Sequence, residues 1–204
     1  MNEDWHERLN VSRETFERLQ IFEQTIIKWN PKINLVSKNS LTDLWTRHIQ
    51  DSVQVFRSVD FSENWVDIGS GGGFPGVVSA ILAHEISPNT KFTLIESDQR
   101  KSAFLRNVAR ECGISINVVS KRIEHVDAMC ADVLSARALA DLSLLFEFCE
   151  RHLAKDGVAL FPKGQTWKKE VDNARERWQF DCESIRSETE PKAVILKIQG
   201  IARV

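Results

Sequence analysis

The sequence predicts an α/β fold, a seven-stranded and mostly parallel sheet with helices on both faces. Three observations support it. Short apolar strands alternate with helical patterns over most of the chain, a glycine cluster follows the first strand, and two strands follow one another at the C-terminus. Alternating strands lie parallel, whereas the two consecutive strands form a hairpin that finishes the sheet antiparallel.

Two helices precede the first strand. Ser12 suits the N-cap of a helix over residues 12–29, where apolar residues recur at three- and four-residue steps, and Pro31 is expected to end it. A second helix is predicted over residues 41–56, where one continuous stripe includes His48. We expect residues 1–60 to form a helical extension packed on a core domain of residues 61–204.

The rest of the chain follows the alternating pattern in order. Strands are predicted over residues 65–68, 92–95, 116–119, 132–135, 158–161, 180–185 and 193–198. Helices are predicted over residues 74–83, 100–112, 141–153 and 166–177. Pro75 suits the first turn of its helix, and Gly113 ends the next one.

Composition excludes several classes of protein. The 204 residues are 42% hydrophobic and 27% charged, with no apolar run near the roughly 18 residues of a membrane span. The acidic, polar start does not look like a secretory signal, so a cytoplasmic protein is expected. The four cysteines form no C-x-x-C pair, so no metal site is expected. A net charge of −2 argues mildly against general nucleic-acid binding but allows a local basic face.

The glycine cluster after the first strand favours a nucleotide or other anionic ligand, because glycines let the backbone approach closely and a helix N-terminus follows. A P-loop is excluded, since Gly76 is followed by Val77 rather than by Lys. A nicotinamide dinucleotide would fit the G-x-G-x-x-G spacing that ends at Gly76, with Glu96 as the ribose ligand.

S-adenosylmethionine is the third interpretation, and it uses one more residue. Asp67 lies two positions before the first glycine, where a carboxylate meets the cationic methionine portion of that cofactor. Glu96 ends the next strand and would accept hydrogen bonds from both ribose hydroxyls. The ligand would then lie across the carboxyl ends of the strands, as in other open α/β sheets.

Several segments, in the same order along the chain, resemble one family. Residues 66–76 (VDIGSGGGFPG) resemble the cofactor loop of the ribosomal RNA small subunit methyltransferase G family, also called the glucose-inhibited division protein B family. Similar segments are WNPKINL at 29–35, RHIQDS at 47–52, TLIESDQRKSAFL at 93–105 and the Lys-Gly pair at 163–164. The SARA segment at 135–138 has one residue more than the family's Ser-Arg-Ala turn.

The resemblance implies a Rossmann-like class I methyltransferase fold with an N-terminal helical extension. It implies methylation of N7 of one guanine, number 527 in the usual 16S ribosomal RNA numbering, with S-adenosylmethionine as methyl donor. It further implies cofactor contacts from the glycine loop, from the 123–124 segment beside the adenine and from an arginine beside the methionine end. The cofactor-binding candidates are then Asp67, Gly69, Ser70, Gly71, Phe74, Glu96, Ile123, Glu124 and Arg137.

Guanine N7 carries a free lone pair, so this reaction needs positioning rather than a general base. Positioning candidates are Arg137, His48 and Phe74. Phe74 could offer an aromatic face to the base or could be a hydrophobic wedge. His48 could belong to a polar patch facing the site, or could be a core histidine bonded to Asp51.

RNA binding needs positive charge, and the candidates are Lys32, Arg47, Lys163 and Lys168. The expected partner is 16S ribosomal RNA within the small subunit or an assembly intermediate, and the protein is expected to be a monomer. Three other functions stay open: a methyltransferase acting on small molecules or proteins, a dehydrogenase, and a noncatalytic assembly factor. A dehydrogenase of the Tyr-x-x-x-Lys type is disfavoured because the chain has no tyrosine.

Overall fold

The computed structural model describes residues 3–60 and 62–204. One seven-stranded sheet runs through the molecule in the order β3-β2-β1-β4-β5-β7-β6. Its strands are β1 (Asn64–Ile68), β2 (Lys91–Ile95), β3 (Asn117–Val119), β4 (Ala131–Ser135), β5 (Leu153–Lys163), β6 (Trp178–Arg186) and β7 (Val194–Arg203). The first five pair in parallel, and β7 pairs antiparallel with both β5 and β6, which confirms the predicted architecture.

Strand β7 lies between β5 and β6, and this order determines where the β6–β7 turn lies. Val194, at the start of β7, pairs with Lys163 at the end of β5 and with Arg186 at the end of β6. The β6–β7 turn therefore lies at the edge of the sheet where the parallel strands end, which is the edge that carries ligands in open α/β sheets.

The helices are α1 (Glu3–Leu9), α2 (Arg13–Ile33), α3 (Lys38–Thr42), α4 (Asp51–Arg57), α5 (Gly76–Ile86), α6 (Gln99–Cys112), α7 (Leu142–His152) and α8 (Trp167–Arg175). A π-helical segment, Trp45–Gln50, leads directly into α4. None of the helices in the described ranges is both long enough and apolar enough to cross a membrane.

Helix α2 is longer than its sequence predicts. Ser12 caps it as expected, but Pro31 lies inside the helix and the chain leaves it only at Asn34, whose φ is 51°. Proline in the last turn removes a single helical hydrogen bond, so the helix tolerates it. The Asn30 side chain then accepts the backbone N–H groups of Leu35 and Val36 at 2.7 and 2.8 Å, which shapes the exit from the helix.

The prediction of one continuous helix over residues 41–56 is wrong. The chain instead forms α3, the π-helical segment and α4. A π-helix has a wider turn than an α-helix, and such insertions are frequent at functional sites. The start of α5 was also placed too early, because Pro75 is its N-cap and the helix begins at Gly76.

Alternating side chains of the strands enter two cores, one on each face of the sheet. Along β1, Trp65 belongs to the first core and Val66 to the second. The first core contains Leu19, Phe22 and Ile26 of α2 together with residues of α4, α5 and α6. The N-terminal helices are thus part of a core that they share with the sheet.

Candidate functional site

The loop after β1 has a backbone that only glycines adopt readily. Gly69, Gly71 and Gly73 have φ values of 65°, 50° and 89°. A Cβ atom on Gly69 would lie 2.6 Å from Cδ1 of Leu139, so the loop is packed closely as well as left-handed. The predicted glycine requirement therefore has two physical causes.

Asp67 is fully buried at the end of β1. Its Oδ1 accepts a hydrogen bond from Ser135 Oγ at 2.6 Å, and that hydroxyl accepts one from Trp65 Nε1 at 2.9 Å. Oδ2 has no hydrogen-bond partner of good geometry among the described residues, although the backbone N–H of Gly76 lies close enough to favour the ionised form of this carboxyl. Burial raises the pKa of Asp67 to about 6, although the Ser135 hydroxyl opposes that shift. A buried carboxylate oxygen without a partner suits a cationic ligand.

The backbone holds Glu96 in place at the end of β2. Its Oε2 accepts the N–H of Gly71 at 2.8 Å, and its Oε1 accepts the N–H of Asp98 at 2.7 Å. Each carboxylate oxygen has a further lone pair, so both can still accept a hydroxyl. The carboxylate is therefore oriented before any ligand binds. Ser70 has a different role, because its hydroxyl donates to the carbonyl of Asp67 at 3.0 Å.

A cavity of about 420 Å³ opens beside this loop, and we call it the glycine-loop cavity. Ile123 and Glu124 reach it from a one-turn 3₁₀-helix, Ile123–His125. Of the cofactor candidates, the cavity brings together Gly69, Gly71, Glu96, Ile123 and Glu124. Sequence reasoning missed other residues of its wall, namely Lys101, Lys121, Arg122 and Leu139.

Phe74 is a buried wedge in this structure rather than a free aromatic face. Its ring packs on Phe22 at 5.1 Å between centroids and stacks on His48 at 4.9 Å. The Arg137 guanidinium lies 5.2 Å from the same ring. Because three groups surround the ring, a direct contact of its face with a base is not what this arrangement offers.

His48 contacts Arg137 and lines a cavity, so of the two alternatives the structure does not show the core histidine bonded to Asp51. Arg137 Nη2 contacts His48 Nδ1, and Arg137 Nη1 donates to the carbonyl of Arg47 at 3.4 Å. Burial, with the charge of Arg137, lowers the pKa of His48 to about 3, so the imidazole is neutral and accepts at Nδ1. Burial also lowers the pKa of Arg137 to about 10, which leaves it cationic at neutral pH.

A second cavity, of about 450 Å³, lies on the other side of the 137–140 turn, and we call it the hairpin cavity. Residues from the π-helical segment, the 137–140 turn, the end of β5 and the β6–β7 turn form its wall. Ala138 and Ala140 line both cavities. The two cavities are therefore neighbours separated by one short turn.

The four RNA-binding candidates differ in their surroundings. Lys163 lines the hairpin cavity but donates at 2.8 Å to both the carbonyl of Ala140 and the carboxylate of Glu170, so its charge is paired within the protein. Arg47 lies 3.7 Å from Glu190 at the hairpin cavity. Exposed Lys168 lies beside Trp167, and exposed Lys32 lines a cleft between α2 and α6.

Comparison with known proteins identifies the family. The family model described as rRNA small subunit methyltransferase G matches residues 15–194. The chain belongs to that family. A ribosomal RNA small subunit methyltransferase G from Ruegeria sp. (strain TM1040) is 64% identical over 196 residues, 96% of each chain. One from Cereibacter sphaeroides is 44% identical over 205 residues, 100% of each chain.

Solved structures confirm the class I methyltransferase fold of this family member. A TehB-like S-adenosylmethionine-dependent methyltransferase from Corynebacterium glutamicum has a TM-score of 0.58 at 11% identity, covering 89% of this chain and 98% of that one. A ribosomal protein L11 methylase from Lactobacillus delbrueckii subsp. bulgaricus has a TM-score of 0.58 at 19% identity, covering 72% and 76%.

This member of the rRNA small subunit methyltransferase G family uses S-adenosylmethionine, and the glycine-loop cavity fits that cofactor. It offers an oriented carboxylate for a diol at Glu96 and an apolar side chain for a purine at Ile123. Asp67, whose Oδ2 is buried and lacks a hydrogen-bond partner of good geometry among the described residues, does not line this cavity. Among the described residues, no cluster of three or more His, Cys, Asp or Glu side chains is placed to hold a metal ion.

Proposed function

We propose that this protein transfers the methyl group of S-adenosylmethionine to N7 of guanine 527 in 16S ribosomal RNA. The substrate would be the small ribosomal subunit or an assembly intermediate, and the reaction would take place in the cytoplasm. The observation that supports this proposal best is the pair of neighbouring cavities in a member of this methyltransferase family. One cavity suits the cofactor and the other is large enough for a purine base.

The proposed chemistry is a direct displacement. S-adenosylmethionine supplies an electrophilic methyl group, and the N7 lone pair of guanine attacks it without prior loss of a proton. A general base is therefore unnecessary. This agrees with the state of His48, whose lowered pKa and contact with Arg137 make it a poor proton acceptor. Alignment of the reacting atoms can contribute on the order of 7–11 kcal/mol.

The residues of the glycine-loop cavity would hold the cofactor. Glu96 would accept both ribose hydroxyls, while Ile123 and Glu124 would flank the adenine. The loop glycines would let the backbone approach the methionine end, where the Asp67 carboxylate attracts positive charge. Arg137, at the turn between the two cavities, would hold the cofactor carboxylate or an RNA phosphate.

The RNA would be bound by basic side chains around the hairpin cavity and on the N-terminal helices. Arg47, Lys32 and Lys168 stay candidates for phosphate contacts. With a net charge of −2, the chain has little general attraction for RNA, which favours a folded ribosomal particle over a short free RNA. We further propose that the protein is a monomer in which residues 1–60 are a helical extension of the 61–204 domain.

A transfer assay tests this proposal. Purified protein and methyl-labelled S-adenosylmethionine are incubated with small subunits from cells that lack the modification, and the labelled nucleoside is identified. We expect labelled 7-methylguanosine in 16S RNA, and none in subunits that already carry the modification. Label in a ribosomal protein, or in another nucleoside, would refute the proposal, and equal labelling of short free RNA would refute the preference for a particle.

A further inference from the structure

The hairpin cavity contains three acidic side chains, and two of them already have a cation beside them. Glu170 pairs with Lys163 at 2.8 Å, and Glu190 lies 3.7 Å from Arg47. The third is Asp51, at the start of α4, which forms no ion pair with the described residues, although the charges of Arg137 and Arg47 are close enough to oppose the rise in its pKa that burial causes. Asp51 is therefore the acid of this cavity that a ligand can use.

The β6–β7 turn holds the Asp51 side chain by one oxygen. The hydroxyls of Thr189 and Ser187 both donate to Oδ1, the second of them at 3.4 Å. Oδ2 accepts no hydrogen bond from the described residues, and this atom is not fully buried. The carboxylate is thus oriented by two neighbours while one oxygen stays accessible in a cavity.

Partial burial raises the pKa of Asp51, so its charge is less well solvated than that of a surface carboxylate. Such a group gains most from a ligand that presents N–H donors. The Watson–Crick edge of guanine carries two adjacent donors, N1–H and N2–H, whereas adenine has an acceptor at N1. A carboxylate at this position would therefore attract guanine and repel adenine.

We propose that Asp51 determines the specificity of this enzyme for guanine by accepting hydrogen bonds from N1–H and N2–H of the target base. This inference rests on the proposed function. N7 lies on another edge of the purine, so it stays free to face the 137–140 turn and the cofactor beyond it. Methylation at N7 makes the base cationic and N1–H more acidic, so the bond to Asp51 strengthens as the methyl group is transferred.

The test combines a change in the base with a change in the carboxylate. Small subunits are reconstituted with 16S RNA that carries guanosine or inosine at the target position. Inosine keeps N7 and N1–H and lacks only the N2 amine. For the unaltered enzyme we expect kcat/KM to be about 10- to 100-fold lower with inosine, the effect of losing one hydrogen bond to a charged acceptor. Equal rates with the two bases would overturn the inference.

Asp51→Asn is expected to lower kcat/KM with guanosine by a similar or larger factor and to reduce the difference between the two bases to within about 3-fold. An unchanged ratio between the bases would also overturn the inference. Glu188→Gln changes an exposed acid of the same turn that does not line the cavity, and it should keep the full discrimination. Cofactor affinity is measured for each variant, and we expect it to stay within about 2-fold of the unaltered value.

Two outcomes separate this inference from the proposed function. If the unaltered enzyme does not label N7 of the target guanosine, the proposed function fails and the inference fails with it. If it labels N7 but does not distinguish the bases, only the role of Asp51 fails. Should Asp51→Asn not fold, Thr189→Val serves instead, because it removes one hydroxyl that orients the carboxylate and should weaken discrimination without changing the charge.

Discussion

Among single residues, we predict that Asp67 links folding stability to cofactor binding. Its pKa of about 6 in the folded protein lies above the ordinary 3.8 because of burial. The buried group therefore stabilises the fold fully below about pH 4, and this contribution is lost as pH rises through about 6. Raising the pKa from 3.8 to about 6 corresponds to about 3 kcal/mol of folding free energy.

The same ionisation should favour the cationic cofactor. We predict that the affinity for S-adenosylmethionine, measured by titration calorimetry, rises between about pH 5 and pH 7.5 as Asp67 loses its proton. Asp67→Asn should weaken binding at neutral pH and flatten this pH dependence. If the variant keeps the rise in affinity, another group carries the dependence and Asp67 does not contact the cofactor's charge.

Glu96 provides a second prediction at this scale. Glu96→Gln keeps the shape of the side chain but removes the charge, and an amide cannot accept at both of its atoms. We expect the dissociation constant for S-adenosylmethionine to rise by about 10-fold or more, because hydrogen bonds to a carboxylate are roughly twice as strong as neutral ones. Glu111→Gln, an exposed acid on α6, is the control and should leave it unchanged.

Sequence reasoning located the site residues that lie close together along the chain. The glycines, Asp67 and Glu96 were predicted from spacing, because each lies at the end of a strand or just after it. The contact of His48 with Arg137 and the bond of Asp51 to Thr189 join residues about 90 and 138 positions apart. Such contacts depend on how the elements pack, and no local pattern signals them.

At the scale of elements, the ion pair of Lys163 and Glu170 ties the end of β5 to α8 and to the 137–140 turn. The Lys163 side chain is only 10% exposed, so its charge depends on this partner. We predict that Glu170→Gln lowers the free energy of unfolding by about 1–3 kcal/mol, measured by urea denaturation.

The matched control is the ion pair of Arg203 and Glu150, whose atoms lie 2.7 Å apart but whose side chains are about half exposed. Glu150→Gln should cost less than about 1 kcal/mol, since water screens an exposed pair. Equal losses in the two variants would show that burial of Lys163 adds nothing to its pairing.

Element type was more predictable than element ends. All seven strands were expected, since alternation and glycine or proline boundaries indicate them directly. The π-helical segment was not predicted, because its apolar stripe also fits an α-helix. Whether the wider π-turn forms depends on packing. The sequence likewise did not predict which of β6 and β7 pairs with β5. The observed order, with β7 beside β5, brings Thr189 to the hairpin cavity.

At the scale of the whole molecule, the N-terminal helices and the sheet share one core. Phe22 of α2 is fully buried and packs on Phe74 of the loop before α5. We therefore predict a single thermal unfolding transition, and we expect Phe22→Ala to lower stability by about 3–5 kcal/mol while shifting that whole transition. Two separate transitions would contradict a shared core and would indicate an independently folding extension.

The most direct test of the proposed function asks whether this chain methylates N7 of one guanine in 16S RNA. Reduction and aniline treatment cleave RNA at 7-methylguanosine, so primer extension on treated subunits locates the modified nucleotide. After incubation of unmodified subunits with protein and S-adenosylmethionine, we expect one new cleavage, at guanine 527. No cleavage, or cleavage at another guanine, would contradict it.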